Sequence, residues 1–546
     1  MTAPPSDSNR QLVRGRIFTA DRLQRWAEGM AIEGAAILHA GSLAEAAEAA
    51  GPDAEIIDVG EGVVIPGFVD GHAHLLSAGA ALTRAALRPC TSLDGISAEL
   101  HRWFAANPEV PRVLGVGWVF SAVPNGAPTR SMLDTMIADR PVYLDAHDLH
   151  SVWCNSAALA ELGIDAETAD PVGGTIVRDE HGDATGLLLE NAGYHIAWPV
   201  MNVSTAEDDD RFLDAAIRAY LAAGTTAAVD MALDRKTLDA LQRAELRGAL
   251  PFTVVGHWLI NRTGDPATEL AQVRDAVELV ARHQSARVRI IGIKLVTDGT
   301  IDGCTAGMCQ PFTNGEPGEM VWPREALEPV VLAADAAGLQ IALHAIGDLA
   351  VRTSLDVLEL AATRRAARAD MGERRHRIEH LEYVDVVDVA RLAPLGITAS
   401  MQPVHVDPAF LANWIDVIGD ERAQRGFAWP EYLAHGTTLA FGTDTPTAAH
   451  HPLLNVFIAA TRRSPYVATA VALRPDFALP LEEAVGHATR DSAWACFEED
   501  RRGVLRKGLA ADFVVLDRDP FREGPDSLLA AKVTRTVVAG VTVVSI

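Results

Sequence analysis

Residues 64–74 read Val-Ile-Pro-Gly-Phe-Val-Asp-Gly-His-Ala-His, an apolar run that ends in two histidines spaced two positions apart. The β-branched and aromatic residues of this run favour a buried strand. Because side chains alternate between the two faces of a strand, His72 and His74 point to the same side and can bind one metal ion. A His-x-His pair also arises by chance, so the metal hypothesis depends on the rest of the chain.

Short apolar runs alternate with amphipathic stretches through the middle of the chain, which is the pattern of strand–helix units. Eight parallel strands, each followed by a helix, form a (β/α)8 TIM barrel, and the sequence therefore predicts this fold within the α/β class. The predicted barrel strands cover 65–74, 225–231, 252–259, 288–296, 340–344, 376–381, 397–404 and 438–441.

Both ends of the chain differ from the middle because they are rich in short β-branched runs. They predict one small composite β-sandwich domain, built from 10–65 and 500–546, beside a barrel domain that spans 66–499. The stretch 80–205 follows the first predicted barrel strand and is too long for a strand-to-helix loop. We expect it to form an inserted subdomain over the mouth of the barrel.

Chemically active side chains recur at the predicted C-terminal ends of the barrel strands, where TIM-barrel enzymes have their active sites. These side chains are His72, His74, Lys294, His344, His380 and Asp444. A single histidine on an apolar strand is usually a packing residue, and an aspartate after Gly-Thr usually belongs to a turn. Their joint occurrence at separate strand ends indicates a metal site.

Lys294 is one of only four lysines in the chain, and it lies in the apolar run Ile-Ile-Gly-Ile-Lys-Leu-Val. A buried ammonium group is costly unless it is paired, so one interpretation is a salt bridge to Asp298 or to another carboxylate at a strand end. The other is that the neutral amine, which desolvation favours, reacts with carbon dioxide to form a carbamate that bridges two metal ions.

The composition indicates a folded globular protein, with 49% hydrophobic and 22% charged residues and a formal net charge of −26. Such an acidic chain is not expected to bind nucleic acid or an anionic membrane, because phosphate contacts need patches of lysine and arginine. The start of the chain is polar, unlike a secretory signal, and no apolar run is long enough for a membrane span. Five scattered cysteines suit a reducing compartment, so we expect a cytoplasmic protein with a small-molecule substrate.

The six strand-end residues, in this order along the chain, resemble the metal ligands of the amidohydrolase superfamily. Longer phrases resemble its family 3 branch, which includes the N-substituted formamide deformylases. These phrases are 64–74, Lys294-Leu-Val-Thr-Asp-Gly-Thr, Trp153-Cys-Asn-Ser-Ala-Ala-Leu, Gly173-Gly-Thr-Ile-Val-Arg-Asp and Gly508-Leu-Ala-Ala-Asp-Phe-Val-Val-Leu-Asp. The similarity extends from about residue 12 to the end. The chain departs from it around Cys304 and after Asp444, where Thr-Pro replaces the Trp-Pro of many relatives, so the substrate does not follow from any one relative.

The resemblance implies one or two divalent ions, held by His72, His74, Lys294, His344, His380 and Asp444. In this scheme carbamylated Lys294 bridges the two ions, and zinc suits the nitrogen and oxygen ligands. Asp444 takes the proton from a metal-activated water and then protonates the leaving nitrogen. The implied activity is hydrolysis of a non-peptide, amide-type carbon–nitrogen bond by a homodimeric enzyme.

Four more residues are predicted to contact the substrate: Trp118 and His150 in the insert, and Gln402 and His405 after the seventh strand. For Trp118 and His150, packing inside the insert is an equal alternative. Hydrolysis of a cyclic amide, of an ester or of another C–O or P–O bond is an alternative activity of the same site. A metal-free scaffold would be expected to have lost ligands, and none of the expected ligands is missing.

Overall fold

A computed structural model describes residues 10–367, 372–409, 411–472 and 474–546, and the polar start of the chain lies largely outside these ranges. The strands are β1 (Arg10–Phe18), β2 (Trp26–Glu33), β3 (Ala36–Gly41), β4 (Glu55–Pro66), β5 (Phe68–Ala73), β6 (Ala85–Ala86), β7 (Val113–Trp118), β8 (Val142–Ala146), β9 (Ser151–Cys154), β10 (Gly174–Arg178), β11 (Ala184–Glu190), β12 (Thr225–Leu233), β13 (Thr253–Leu259), β14 (Val288–Val296), β15 (Gln340–Ala345), β16 (Arg377–His380), β17 (Thr398–Met401), β18 (Leu439–Phe441), β19 (Phe513–Leu516), β20 (Val533–Val538) and β21 (Val541–Ser545).

The α-helices are α1 (Leu43–Ala50), α2 (Leu75–Ala81), α3 (Leu93–Ala106), α4 (Arg130–Asp134), α5 (Ser156–Leu162), α6 (Trp198–Met201), α7 (Ala206–Ala222), α8 (Arg235–Leu246), α9 (Pro266–Arg282), α10 (Arg324–Ala336), α11 (Asp348–Ala367), α12 (Val386–Leu392), α13 (Trp414–Ile418), α14 (Asp420–Ala423), α15 (Trp429–Ala434), α16 (Pro452–Thr461), α17 (Leu481–Gly486), α18 (Ser492–Ala495) and α19 (Pro520–Glu523). Within the described ranges, none of these helices combines the length and the apolar character that crossing a bilayer requires.

The central sheet has eight parallel strands, β5 and β12–β18, and each strand pairs with the next one along the chain. Strands β5, β15, β16, β17 and β18 are buried over their whole length, as expected for parallel strands that helices cover on the outside. The sheet is a nearly closed barrel, so the predicted (β/α)8 fold is confirmed. All of its strands point their C-terminal ends toward the same mouth.

The last strand meets the first through backbone and side-chain contacts at the barrel mouth. The amide of Asp444 donates to the carbonyl of His72 at 2.7 Å, and the Asp70 carboxylate accepts from the amide and the hydroxyl of Thr443 at 2.9 and 2.5 Å. A Cβ atom on Gly442 would lie 2.3 Å from the backbone nitrogen of His72, so only glycine allows this approach. The seam where the barrel closes therefore lies directly beneath the predicted metal ligands.

The first predicted barrel strand is divided between two sheets. Residues up to Pro66 belong to β4, and β5 begins at Phe68 after Gly67. A Cβ atom on Gly67 would come within 2.4 Å of the Thr226 side chain, so glycine permits the chain to cross from one sheet into the barrel. One apolar run in the sequence thus contributes to two strands in different sheets. Strand propensity alone does not show where the first strand ends and the second begins.

The two ends of the chain form one mixed seven-stranded sheet in the order β21-β20-β19-β4-β1-β2-β3. Strands β1 and β4 are parallel, and the other neighbours are antiparallel. Buried side chains from both ends share one core, among them Val13, Met30, Val64, Phe513 and Val537. The N-terminal and C-terminal segments thus complete a single composite β domain.

The segment between β5 and β12 contains a six-stranded mixed sheet in the order β10-β11-β9-β8-β7-β6. Its own core includes Leu87, Ile96, Trp118, Leu144 and Trp153. Strand β11 ends at Glu190, and His150 directly precedes β9, so two polar residues lie at neighbouring strand ends of this inserted subdomain. The insert delivers both of them to the mouth of the barrel.

Candidate metal centre

His72 and His74 lie where β5 ends and α2 begins. His72 is buried at 1% exposure, whereas the His74 side chain retains 21%. Their Nε2 atoms lie 3.3 and 2.9 Å from Oδ1 of Asp444. The two histidines therefore direct the same ring atom toward one carboxylate oxygen.

Asp444 follows β18 with φ = +56°, a left-handed conformation that is uncommon for a residue other than glycine. Its other oxygen, Oδ2, faces Nε2 of His405 at 3.7 Å and Nδ1 of His380 at 4.0 Å. Burial opposes ionisation of this carboxyl group, but His72 and His74 outweigh that effect and hold its pKa well below the usual range. Asp444 is thus an ionised carboxylate between two groups of histidines.

His380 ends β16 with φ = +76°, and Leu381 follows with φ = +52°. Strand alternation places Arg377 and Glu379 on one side of β16, and the left-handed turn at His380 breaks that alternation. The His380 ring centroid lies 5.0 Å from that of His72 and 4.3 Å from that of His344. The backbone turn therefore brings His380 into the same cluster as the histidine of the first strand.

His344 lies on β15, and its Nε2 is 3.4 Å from the carbonyl oxygen of Gly299 and 3.5 Å from Oδ1 of Asp298. Burial lowers the pKa of His344 well below its usual value, so the ring is neutral and has a lone pair. Asp298 accepts hydrogen bonds from the backbone amides of Gly307, Ile346 and Gly347. This aspartate fixes the loops around His344.

Lys294 on β14 is 2% exposed, and its amine lines the large cavity at the barrel mouth. Burial lowers its pKa to about 8, although Glu379 and Asp444 oppose the shift. Among the described residues, no carboxylate oxygen lies within ion-pair distance of Nζ. The salt bridge to Asp298 or another strand-end carboxylate that the sequence allowed is therefore not formed among the described residues, and Asp298 instead accepts from backbone amides.

Glu379 was not singled out from the sequence, yet it contacts a predicted ligand. It is fully buried, and its Oε2 accepts a hydrogen bond from Nδ1 of His72 at 2.8 Å. Arg377 holds the carboxylate through Nε at 2.8 Å and also donates to the Gly71 carbonyl and the Ser400 hydroxyl. A signal existed in the sequence, because two charged residues in a short buried strand need partners inside the barrel.

Two cavities meet at Asp444. The larger, of about 510 Å³, is lined by His72, His74, Lys294 and side chains of the inserted subdomain. The smaller, of about 50 Å³, lies toward β17 and is lined by His405, Glu382, Val404 and Trp414. His150, His344, His380 and Asp444 border both cavities. The candidate metal centre therefore lies at the junction between a large and a small cavity.

The four predicted substrate contacts occupy different environments. His150 lines both cavities, and its Nδ1 donates to Glu190 at 2.7 Å. His405 borders the small cavity beside Asp444 and Glu382. Trp118 is fully buried in the insert, where its Nε1 donates to the Leu144 carbonyl, so it has the packing position that was the alternative to substrate contact. Gln402 is also fully buried and borders neither cavity.

The donor set fits a divalent metal ion. Among the described residues, His72, His74 and Asp444 form one group of three possible ligands, and His380, His405 and Asp444 form another, each with its donor atoms within 4.8 Å of one another. The buried atoms Oδ1 of Asp444 and Nδ1 of His380 have no hydrogen bond of good geometry. Nitrogen and oxygen lone pairs that converge without hydrogen bonding are typical of ligand atoms around a common cation.

Comparison with known proteins agrees with this geometry. The amidohydrolase family matches residues 55–544. YtcJ of Bacillus subtilis (strain 168), which bears an amidohydrolase name, is 30% identical over 524 residues, 94% of this chain and 95% of YtcJ. An N-substituted formamide deformylase of Arthrobacter pascens is 27% identical over 543 residues, 97% of each chain. The solved structure of an uncharacterised metal-dependent hydrolase from Pyrococcus horikoshii OT3 aligns with a TM-score of 0.73 at 27% identity, covering 94% of this chain and 98% of the other.

The barrel and its strand-end histidines define a metal-dependent hydrolase. The chain belongs to the amidohydrolase family, so the resemblance drawn from its sequence is confirmed.

Proposed function

We propose that the protein hydrolyses an amide-type, non-peptide carbon–nitrogen bond of a small molecule, with Asp444 as the group that moves the proton. The position of Asp444 carries this proposal, because its carboxylate lies between two groups of histidines at the junction of two cavities. The relative from Arthrobacter pascens, named for the deformylation of N-substituted formamides, supports the carbon–nitrogen bond as the target.

In this proposal, His72, His74 and Asp444 hold one divalent ion, and His344, His380 and Lys294 contribute to a second. Zinc is the ion that best suits neutral imidazoles and a carboxylate. When bound, such an ion supplies Lewis acidity toward a carbonyl group and toward water. His405 forms a group of possible ligands with His380 and Asp444, so it is a further candidate ligand or substrate contact.

Lys294 is proposed to be carbamylated. Its neutral amine attacks the carbon of dissolved carbon dioxide, a nitrogen–carbon bond forms, and one proton passes from nitrogen to solvent. Two properties support this step: the amine is buried without a carboxylate partner among the described residues, and its pKa of about 8 leaves a neutral fraction near neutral pH. The resulting anionic carbamate would provide two oxygen ligands where the lysine alone provides none.

Asp444 has the properties of a proton acceptor in the first step. Its carboxylate is ionised, desolvated and fixed by the hydrogen bond from its own amide to the His72 carbonyl. It takes a proton from the attacking water and delivers it to the amine nitrogen as the carbon–nitrogen bond breaks. The products are a carboxylic acid and an amine.

The experiment that tests the proposal compares formamides, longer-chain amides, cyclic amides and esters as substrates of the purified, metal-analysed protein. We expect acyclic amides to be hydrolysed and Asp444→Asn to lower kcat by about 10²–10⁴-fold, because general acid–base catalysis contributes that much. Asp265→Asn, at the exposed N-terminus of α9, is the matched control and should keep the wild-type rate. Hydrolysis of esters alone, or an Asp444→Asn variant with wild-type turnover, would contradict the proposal.

A further inference from the structure

Tyr194 brings a hydroxyl group from the inserted subdomain to the wall of the large cavity, which also contains the candidate metal ligands. It lies in a π-helical turn, Gly193–Ala197, between β11 and α6. Turns of this kind are rare, and they occur frequently at functional sites. Tyr194 therefore combines an unusual backbone setting with a position on the cavity wall.

The hydroxyl group of Tyr194 makes no hydrogen bond with any residue in the described part of the chain. The hydroxyl of Tyr143, in contrast, donates to Glu161 at 2.6 Å. A tyrosine that is largely withdrawn from water usually has a hydrogen-bond partner for its hydroxyl. Since the Tyr194 side chain faces the large cavity, a molecule bound in that cavity is the partner that its position allows.

Two neighbouring rings fix the orientation of Tyr194. His150 meets its ring edge-on with centroids 5.8 Å apart, and Trp198 packs against it with centroids 4.8 Å apart. Each neighbour is held in turn by a buried carboxylate. Nδ1 of His150 donates to Glu190 at 2.7 Å, and Nε1 of Trp198 donates to Asp145 at 2.8 Å. The hydroxyl group is thus fixed in place before a substrate binds.

Tyr194 lies close to the candidate metal centre without being part of it. His150, which contacts the Tyr194 ring, also contacts the ring of His344, with centroids 5.0 Å apart. Tyr194 belongs to neither of the two groups of possible metal ligands among the described residues. A hydroxyl in this position can meet a substrate that reacts beside Asp444, and it leaves the binding of the ion to other residues.

The surroundings of Tyr194 keep its phenol protonated. Burial raises the pKa of Tyr194 well above the usual value, and the negative charges of Glu190, Asp148 and Asp444 act in the same direction. At neutral pH the group is therefore a hydrogen-bond donor and not a phenolate. The effect of Asp444 on this pKa also places the phenol within the electric field of the carboxylate that is proposed to move the proton.

Hydrolysis of an amide creates a need for such a donor. When water adds to the carbonyl carbon, a carbon–oxygen bond forms and the π electron pair of the carbonyl bond moves to its oxygen, which becomes negative. A fixed donor that meets this oxygen stabilises the anion more than the neutral carbonyl and so lowers the barrier.

We propose that Tyr194 is a catalytic residue whose hydroxyl donates a hydrogen bond to the substrate carbonyl oxygen as that oxygen becomes an anion. The proton stays on Tyr194, so the hydroxyl is unchanged after each turnover. His150 and Trp198 are positioning residues that hold the ring. This inference rests on the proposed amide hydrolysis, and it gives the inserted subdomain a direct part in that reaction.

The first test is Tyr194→Phe, which removes the hydroxyl and keeps the ring. On the amide that the wild type hydrolyses fastest, we expect kcat to fall by about 10²–10³-fold, the usual loss for one oxyanion donor, with KM changed by less than about twofold. Zinc affinity and Tm should equal those of the wild type, because the hydroxyl contacts no described residue. Tyr383→Phe makes the same chemical change outside both cavities and should keep the wild-type kcat.

A double variant tests whether Trp198 acts through Tyr194. Trp198→Phe removes the hydrogen bond to Asp145 and loosens the packing of the Tyr194 ring. We expect it to lower kcat by about 10–100-fold, since small displacements of a catalytic group cost that much, with unchanged zinc affinity. Added to Tyr194→Phe, it should cause little further loss. If the two losses in kcat multiply, Trp198 does not act through the hydroxyl and its positioning role is wrong.

The outcomes separate this inference from the proposed function. Equal kcat in the wild type and Tyr194→Phe would overturn the inference while amide hydrolysis stands. A raised KM with unchanged kcat would also overturn it, since the hydroxyl would then bind substrate and transition state equally. If esters are hydrolysed and amides are not, the proposed function fails, and the same loss of kcat on esters would still support Tyr194, because an ester carbonyl forms the same anion. If neither is hydrolysed, both proposals fail.

Discussion

Glu379 lies inside the barrel with no exposed surface, yet it contacts the centre through His72. Its carboxylate accepts from Nδ1 and so fixes the proton on that ring nitrogen, which leaves the Nε2 lone pair directed toward Asp444. Arg377 in turn holds the carboxylate from two sides. Carboxylates that orient a metal-binding histidine in this way are a common source of metal affinity.

We predict that Glu379→Gln lowers the affinity for zinc by about 10–100-fold, because the amide does not define the ring proton of His72 as the carboxylate does. Competition with a chromophoric chelator measures this affinity independently of turnover. Glu498→Gln is the matched control, since Glu498 is equally buried and bound by Arg289 and Arg502, away from both cavities. Equal zinc affinity in wild type and Glu379→Gln would refute the role.

Single residues differ in how far the sequence reveals their surroundings. His72 and His74 come at the end of one apolar run and His344 lies in another, so their positions at strand ends are predictable from local pattern. The position of Trp118 is not, because its place in the core of the insert depends on contacts with Trp153 and Leu144 from other strands. The approach of His405 to Asp444 likewise depends on how two loops distant in sequence meet.

At the scale of elements, barrel closure depends on a glycine that touches backbone. A Cβ atom at residue 442 would lie 2.3 Å from the nitrogen of His72, and backbone atoms cannot move aside as a flexible side chain can. We expect Gly442→Ala to destabilise the protein by about 1–3 kcal/mol and to weaken metal binding, since the substitution pushes β18 away from β5. Thermal unfolding and zinc titration measure the two effects.

Gly95→Ala is the control for that substitution. Gly95 lies in α3, where an added Cβ would have neighbours no closer than 3.4 Å. Alanine at such a helical site should leave stability unchanged or raise it by about 0.5–1 kcal/mol. If Gly442→Ala were as stable as Gly95→Ala, the contact between β18 and β5 would tolerate a Cβ atom, and the steric argument would be wrong.

The segment between α17 and α18 joins the barrel to the terminal sheet through a buried ionic cluster. Asp491 accepts from Nδ1 of His487 at 2.7 Å and from Arg490 at 2.7 and 2.8 Å, while Arg490 also donates to the Ala20 carbonyl. Burial opposes the ionisation of Asp491, but His487 and Arg490 outweigh it and lower its pKa to about 2. A carboxylate with a lowered pKa stabilises the fold above the pKa it has when unfolded.

The resulting pH dependence has a definite sign. At pH 7, Asp491→Asn should lower the free energy of unfolding by about 2 kcal/mol, and this difference should shrink as pH falls from about 4 toward 2, where Asp491 becomes protonated in the folded state. Thermal unfolding of both proteins at pH 7, 5 and 3 measures it. Asp139→Asn, at a fully exposed position, should show no such loss. If the difference in unfolding free energy between wild type and Asp491→Asn stayed constant down to pH 3, the loss of stability would come from altered packing and not from the charge of Asp491.

On the scale of the whole molecule, the barrel was predictable because most of its parallel strands, such as β15, are apolar runs and are separated by amphipathic helices such as α8. The division of the first run between β4 and β5 was not predictable, since the crossing at Gly67 depends on Thr226 from another strand. The size of the two cavities also depends on tertiary packing, in particular on Trp414 against Phe427. The ends of the strands can be predicted from the local sequence pattern, whereas the size of the cavities between them cannot.

Metal removal should weaken the entire fold, because the candidate ligands come from the ends of five different barrel strands, β5, β14, β15, β16 and β18. Zinc at a thousandfold excess over its Kd should stabilise the folded state by about 4 kcal/mol, and a chelator should abolish this gain. Scanning calorimetry with and without chelator measures the change in Tm. His72→Ala should show a much smaller chelator effect, and equal sensitivity in both proteins would place the stabilising ion elsewhere.

The sheet shared by the two chain ends cannot be completed until the C-terminal strands have been synthesised. Strand β4 pairs with β19, which a ribosome produces roughly 450 residues later, a wait of about 20–90 seconds at 5–20 residues per second. During that interval the emerging N-terminal strands present an unpaired edge of the kind that recruits other chains. Deleting β19–β21 would leave the edge of β4 permanently unpaired. The truncated chain should therefore accumulate in inclusion bodies even though every residue of the barrel is present.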